Sequence, residues 1–265
     1  MRIDKYLSEN GLSKSRTHAK ELVENGFVLC NGKVITKASA EIGGNDIITL
    51  SGDTCPYVSR GGFKLAGALK SFNIDVRGMI ALDVGASTGG FTDVLLQNGT
   101  SKVISVDSGH GQLDKKLLSD ERVTSMEGYN ARALNRNDIG LSVDIAVCDV
   151  SFISQTYVHS GIFDCLSENG IYIGLVKPQF ELTKEALSKG GIVKKESDRF
   201  SACERVYASL VSVGFSVTGF DISPIEGGDG NIEFLILAKK SNEKSITLEK
   251  IRGIVFEKSR GTSEK

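Results

Sequence analysis

The sequence predicts an α/β fold: a doubly wound, mostly parallel sheet of Rossmann-like type, preceded by a small N-terminal α+β unit. Three observations carry the prediction. From about residue 59 short apolar runs alternate with amphipathic stretches, the pattern of repeated strand, crossover and strand. One of these runs, Leu82-Asp83-Val84, passes directly into Gly85-Ala86-Ser87-Thr88-Gly89-Gly90-Phe91, a strand, a glycine-rich turn and a helix start. Ahead of this series the periodicity is of another kind, with two short helical stretches and a hairpin signal at Asn31-Gly32.

Taken in order, Leu7, Leu12, Ala19, Leu22 and Val23 give helical spacing around a Ser13-Lys14-Ser15-Arg16 helix start, where a serine can cap exposed backbone N–H groups. Phe27 to Cys30, Asn31-Gly32 and Lys33 to Ile35 read as strand, turn and strand, and a strand from Asp46 to Leu50 closes a unit of residues 1–52. Residues 53–60 read as a linker, and residues 61–240 as the larger domain. There the spacing predicts a helix over Lys64 to Phe72, strand Ile80 to Val84, helix Gly89 to Asn98, and strands Val103 to Val106, Val123 to Met126 and Asp144 to Cys148. Helix Tyr157 to Leu166, strand Ile171 to Val176, helix Arg199 to Val213, and strands Phe215 to Phe220 and Ile232 to Ala238 follow. Lys184 to Lys195 reads as a mobile loop. Residues 241–265 read as a tail with a short helix and a frayed end.

Composition narrows the class. Against 33 Asp+Glu stand 32 Lys+Arg, a net charge of −1, and 40% of residues are hydrophobic, so neither a polycation nor a disordered chain fits. The five cysteines show no C-x-x-C spacing and lie mostly in apolar stretches, which predicts buried reduced thiols and no metal site. No apolar run approaches the ~18 residues of a membrane span, and the polar start Met1-Arg2-Ile3-Asp4-Lys5 lacks a signal core. A cytoplasmic protein is expected.

In open parallel sheets ligands bind beyond the carboxyl ends of the strands. The glycine loop offers backbone N–H groups and close approach there. Asp107 follows the second strand, Val103 to Val106, where a carboxylate suits the hydroxyls of a ribose. NAD and S-adenosylmethionine would both use that acid. Glu127-Gly128-Tyr129-Asn130-Ala131-Arg132 after the third strand and Asp149-Val150-Ser151-Phe152 after the fourth place polar groups beside a base and then beside a reacting centre.

At this point the chain resembles the TlyA family, in which an RNA-binding domain of the ribosomal-protein S-four type precedes a methyltransferase domain of the FtsJ (RrmJ) type. The matching stretches are Arg2 to Leu7, Ser59 to Leu65, Asp83 to Phe91, Cys148 to Ser154, Val176 to Glu181 and Gly230 to Phe234. The resemblance implies a class I S-adenosylmethionine-dependent methyltransferase fold and a Lys-Asp-Lys-Glu tetrad for a ribose 2′-hydroxyl, carried here by Lys64, Asp149, Lys177 and Glu233. It implies a cofactor pocket formed by Asp83, Gly85, Ala86, Ser87, Gly89, Phe91, Asp107, Asn130 and Asp149. A ribose hydroxyl is a poor nucleophile at neutral pH, so the site must take or share its proton. The expectation is that Lys177, its pKa lowered by burial and by Lys64, acts as base or stabilises the alkoxide, while Asp149 and Glu233 orient the lysines.

For the front domain, residues 1–37 hold seven cations against four anions. With the S-four resemblance, Arg2, Lys5, Lys14, Arg16, Lys20 and Lys33 are expected to contact RNA, and Arg60, in the stretch leading into Lys64, to contact the RNA substrate or position that lysine. The function implied is S-adenosylmethionine-dependent 2′-O-methylation of ribosomal RNA, at cytidine by the resemblance. The modest charge favours folded RNA or an assembled ribosomal subunit as partner. Two readings of other classes stand beside it: a non-catalytic RNA-binding or ribosome-assembly factor, and a cytolysin, since members of the family carry the name haemolysin. An amino-group methyltransferase is disfavoured, because Asp149-Val150-Ser151-Phe152 departs from the Asp/Asn-Pro-Pro-aromatic sequence that holds an amine.

Overall fold

The structure, a computed structural model, describes residues 1–13, 16–24, 26–50, 56–188, 190–228 and 230–257; for residues 17, 18 and 21 it describes the backbone alone. The chain divides into two compact units, Met1–Gly62 and Phe63–Lys265.

In the first unit, helices α1 (Ile3–Glu9) and α2 (Arg16–Glu24) accompany a three-stranded antiparallel sheet of β1 (Val28–Cys30), β2 (Lys33–Ile35) and β3 (Ile48–Leu50), in the order β2-β1-β3. Asn31 and Gly32 both have positive φ, 52° and 77°, as the two-residue loop of a tight hairpin requires. Ile3 and Leu7 from α1 and Ala19 and Val23 from α2, each pair four residues apart, form a core with Val28. The third strand starts two residues later than its pattern suggests. Asp46 is spent on the turn, where its carboxylate accepts the Gly43 backbone N–H at 2.7 Å and the Asn31 amide at 2.8 Å. The expected serine cap of α2 lies outside the described residues, as does Cys55.

The second unit follows from α3 (Gly61–Ser71). It contains β4 (Ile80–Val84), α4 (Gly90–Gln97), β5 (Lys102–Val106), α5 (Lys115–Leu118), β6 (Val123–Met126), α6 (Arg136–Ile139), β7 (Val143–Cys148) and α7 (His159–Cys165). Then come β8 (Leu166–Val176), α8 (Pro178–Glu181), α9 (Glu196–Val213), β9 (Ser216–Ile222), β10 (Phe234–Lys239) and α10 (Leu248–Glu257). The seven strands run in the order β6-β5-β4-β7-β8-β10-β9. All pairs from β6 to β8 are parallel, and β10 lies antiparallel between β8 and β9. Four of the five residues of β4 and of β5 are fully buried, as expected for parallel strands covered on both faces. The doubly wound reading is borne out.

Three single-turn helices, α5, α6 and α8, escape the sequence pattern, because four residues show no periodicity. For α5 and α6 the signals are caps, Asp114 accepting the Lys116 N–H and Asn135 the Asp138 N–H; α8 has no side-chain cap and opens on Pro178. Strand β8 begins five residues early. Its first stretch slips against β7 where Asn169 takes a φ of 61°, and regular pairing starts at Ile145 and Ile171. Glu233 does not open the last strand as expected but precedes it. The loop expected over Lys184 to Lys195 is tied down by Asn231, whose side chain accepts the Val193 N–H at 2.9 Å and donates to Gly191 O at 3.1 Å. Cys148, Cys165 and Cys203 are buried, and Cys30 half-buried. Among the described residues no helix is long and apolar enough to cross a membrane.

Candidate active site

The sheet order reverses between β4 and β7, and the loops that follow those strands face one another there. Gly85 has a φ of 87°, and a Cβ at that position would stand 2.7 Å from the backbone oxygen of Asp149. The two strand ends therefore approach as closely as backbones can. Ser87 also has a positive φ, 48°. Its N–H donates to one oxygen of Asp107 at 2.8 Å, and the Gly109 N–H donates to the other at 2.7 Å. The carboxylate is thus fixed in direction while keeping lone pairs for a ligand.

Around these groups lies a cavity of about 410 Å³. Its wall includes Gly85, Ser87, Asp107, Asn130 and Asp149, five of the nine residues expected to hold a cofactor. The other four stand behind the wall. Ala86 and Phe91 are buried. Gly89 makes room for a neighbouring side chain, since a Cβ there would meet Leu117 at 2.1 Å. Asp83 is fully buried and accepts the Thr92 hydroxyl at 2.7 Å, while its other oxygen has no hydrogen-bond partner among the described residues. Sequence reasoning did not assign Ser151, Phe152, Gln112 or Arg132 to the wall. Their position in the loops after β7, β5 and β6 was the available signal. The residues present fit a cationic nucleoside cofactor such as S-adenosylmethionine: a glycine cradle, an oriented carboxylate at the ribose position, and buried acids that favour positive charge.

Burial pushes the Asp83 carboxyl up to about 7; the Thr92 hydrogen bond opposes this, and the Asp149 and Asp107 charges add to it. An unfolded aspartate titrates near ~4. Between about 4 and about 7 the folded chain alone holds this proton, so Asp83's contribution to stability falls as pH rises through that window and is level above it. Asp83→Asn, which cannot ionise, is expected to flatten that part of the profile. Thermal melting of both proteins from pH 5 to pH 8 measures it, and parallel profiles would overturn the assignment.

Beside the cavity the four tetrad positions form two ion pairs. Lys177 Nζ lies 2.6 Å from Asp149 Oδ1 and donates to Ser151 Oγ at 2.8 Å. Lys64 Nζ donates to Glu233 Oε2 at 2.5 Å. Lys64, Lys177 and Glu233 are buried. The helix that opens the unit, the ends of β7 and β8, and the approach to β10 each contribute one group.

One expectation is corrected. The pKa of Lys177 is not lowered: burial pulls it down, but the charges of Asp149 and Glu233 outweigh burial and hold it above the ordinary lysine value. For Asp149, burial acts upward and is outweighed by Lys177 and Lys64, which leave it below the usual range. Glu233 stays raised, because burial dominates over Lys64. Without a ligand the site therefore holds Lys177 as an ammonium ion paired to a carboxylate.

Phe152 is 89% exposed, and its φ is 66°. An aromatic residue in the left-handed region costs about 1–2 kcal/mol. Its ring lies 5.4 Å from that of Phe180, which in turn faces the Lys177 ammonium at 5.8 Å.

Of the residues expected to meet RNA, Arg2, Lys5, Arg16, Lys20 and Lys33 are exposed on the first unit. Lys14 lies outside the described residues. Arg60 is half-buried and lies along Gly26, where a Cβ would stand 2.2 Å from its side chain.

Comparison with known proteins agrees with this geometry. An FtsJ-like methyltransferase model matches residues 57–240, and an S4 domain model residues 1–48. The chain is 36% identical over 255 residues to the 16S/23S rRNA (cytidine-2′-O)-methyltransferase TlyA of Mycobacterium tuberculosis, covering 96% of this chain and 95% of that one. It is 40% identical over 236 residues to Hemolysin A of Brachyspira hyodysenteriae, covering 89% and 98%. A solved structure from Streptococcus thermophilus, provisionally called a hemolysin, superposes with a TM-score of 0.79 at 40% identity and covers 100% of this chain and 98% of its own. Since the methyltransferase match takes in the cavity and both ion pairs, and spans well over half the sequence, the chain belongs to the FtsJ-like methyltransferase family, with an S4 domain in front.

Proposed function

We propose that the chain transfers the methyl group of S-adenosylmethionine to the 2′-hydroxyl of a cytidine in ribosomal RNA, acting in the cytoplasm on folded RNA or an assembled subunit. Residues 1–52 would bind RNA, 53–60 would link, and 61–240 would carry the chemistry. The observation that carries this is the pair of buried lysine–carboxylate contacts, Lys177 with Asp149 and Lys64 with Glu233, beside the cofactor-sized cavity. Two buried lysine side chains side by side with the cavity suit an oxygen that becomes negative.

When bound, the cofactor supplies an electrophilic methyl carbon on a sulfonium. A ribose oxygen that takes up that methyl, with the sulfur keeping the bonding electrons, would have to give up its hydroxyl proton, and that is the task left to the chain's own residues. Lys177, once it has given up its own proton, would take that of the hydroxyl. Filling the cavity with a cation competes for the field of Asp149, so Lys177 loses part of what keeps it protonated and its pKa falls. Lys64, held by Glu233, keeps a positive charge near the developing alkoxide. Phe152 offers an exposed ring beside Lys177 on which the target base can stack, worth ~1–3 kcal/mol. Phe152→Ala is accordingly expected to lower kcat/KM for RNA about tenfold or more, with cofactor affinity changed less; an unchanged kcat/KM would remove the ring from the substrate site.

The test of the whole reading is to incubate free rRNA and each assembled subunit with methyl-labelled S-adenosylmethionine and then digest with alkali. A 2′-O-methyl group blocks cleavage and leaves a labelled dinucleotide. Label in mononucleotides would mean base methylation, and absence of label from every substrate would mean a non-catalytic RNA-binding protein.

A further inference from the structure

The described cations of the first unit are not equivalent. Lys5 pairs with Glu9 and Lys20 with Glu24, each one turn along its helix at 3.6 Å, and all four side chains are about half exposed. Pairs of that kind are loose and worth little. Arg2 and Arg16 instead converge on one carboxylate. Asp4 is 4% exposed. Its Oδ1 accepts Arg2 Nε at 3.1 Å and the Lys5 backbone N–H at 2.8 Å, and its Oδ2 accepts Arg2 Nη2 at 2.9 Å and Arg16 Nε at 3.2 Å. The Arg2 hydrogen bonds, burial acting against them, and those of Arg16 leave the Asp4 carboxyl below its usual range.

Asp4 itself is anchored. The backbone N–H of Ile3 donates to Ala40 O and that of Asp4 to Ala38 O, while the terminal amino group donates to Ile42 O. Two guanidinium groups thus hang from one fixed, buried anion, one gripping it as a fork and the other from the side. Both arginine side chains nevertheless remain about half exposed, 48% and 57%. Among the described residues neither makes any further hydrogen bond. One negative charge inside and two positive charges outside leave a surplus of one cation, with outward N–H groups set in direction.

We propose that Arg2 and Arg16 form a single preorganised clamp for an RNA backbone phosphate, with Asp4 as its positioning residue. The proposal rests on the RNA-binding reading of this unit and deepens it. Guanidinium matches phosphate oxygens two at a time. A free arginine gives up considerable rotamer entropy when it binds, and Asp4 removes part of that cost in advance.

The sign of one substitution separates the clamp from simple attraction. Asp4→Asn raises the net charge by one, so a point-charge account expects tighter RNA binding with a steeper salt dependence. The clamp expects binding weaker by about threefold to tenfold, with the log–log salt slope reduced by about one phosphate contact. A second variant, Arg2→Lys with Arg16→Lys, keeps every charge and leaves Asp4 in place; the clamp expects about tenfold loss. Binding of fluorescent rRNA fragments to the full chain between 50 and 300 mM salt reads both. Equal or tighter binding by Asp4→Asn, or wild-type affinity in the double lysine variant, overturns the clamp. Should Asp4→Asn fail to fold, the lysine variant decides. Failure of the RNA-binding reading looks different, since the unsubstituted chain would then bind no RNA, and the clamp falls with it.

Discussion

Lys177→Arg is expected to keep the fold and the ion pair with Asp149 yet lower kcat by about 10²–10⁴, the usual worth of a positioned proton acceptor. A guanidinium stays charged at any accessible pH and can take no proton. Lys177→Ala should lose as much activity and stability besides, because it strands Asp149 beside the cavity without its partner. Single-turnover methyl transfer at saturating cofactor and RNA separates the two roles of the charge. If Lys177→Arg transfers at near-normal rate, the ammonium only stabilises negative charge and another group removes the proton.

The pH profile carries the same argument. Asp149 and Glu233 hold Lys177 above its ordinary value in the ligand-free site. The fraction able to accept a proton therefore rises with pH throughout the neutral and mildly alkaline range, and kcat/KM, which reports the free enzyme, should climb without a plateau below about pH 10. For kcat the limb should lie at lower pH, since a cation in the cavity weakens the hold of Asp149. Coincident limbs would show that Lys177 does not feel the cofactor.

How far sequence anticipates this site depends on the kind of information each residue carries. Strands β4, β5 and β7 and the second half of β8 are short, mostly apolar runs, and the loop after β4 has glycine at two of its positive-φ positions, Gly85 and Gly89; both are local properties. Lys64, Asp149, Lys177 and Glu233 are individually ordinary, and only the family resemblance joined residues that lie up to 169 positions apart. The direction of the Lys177 shift escapes the sequence for a physical reason. Burial is visible in an apolar context, but the balance between burial and two facing carboxylates is a matter of ångströms. The exposure of Phe152 is not legible in its motif, because an aromatic after a strand is ordinarily core. Asp4 likewise looked like one more anion in a charge count until its burial between two arginines was known.

Gly85→Ala tests the close approach of β4 and β7 on which both cavity and ion pairs depend. The new Cβ meets Asp149 O at 2.7 Å, Asp149 C at 2.9 Å and Val150 N at 3.1 Å, all backbone atoms that cannot swing aside. Asp149 N also donates to Val84 O at 2.9 Å, so relief requires parting the two strand ends and moving Asp149 relative to Lys177. Left-handed strain of about 1–2 kcal/mol adds to an overpacking cost of about 1–3 kcal/mol. Gly78→Ala supplies the control: φ is 74° there and nothing lies within 4 Å, so it bears the strain alone. Both variants should melt below the parent protein, Gly85→Ala the lower by several degrees. Gly78→Ala should bind S-adenosylmethionine normally in calorimetry, whereas Gly85→Ala should bind about a hundredfold more weakly or not at all, since the overpacking falls on the cavity wall itself. Equal melting and equal affinity in the two variants would mean that the strand ends are free to separate, and the cavity would then owe its shape to the ligand.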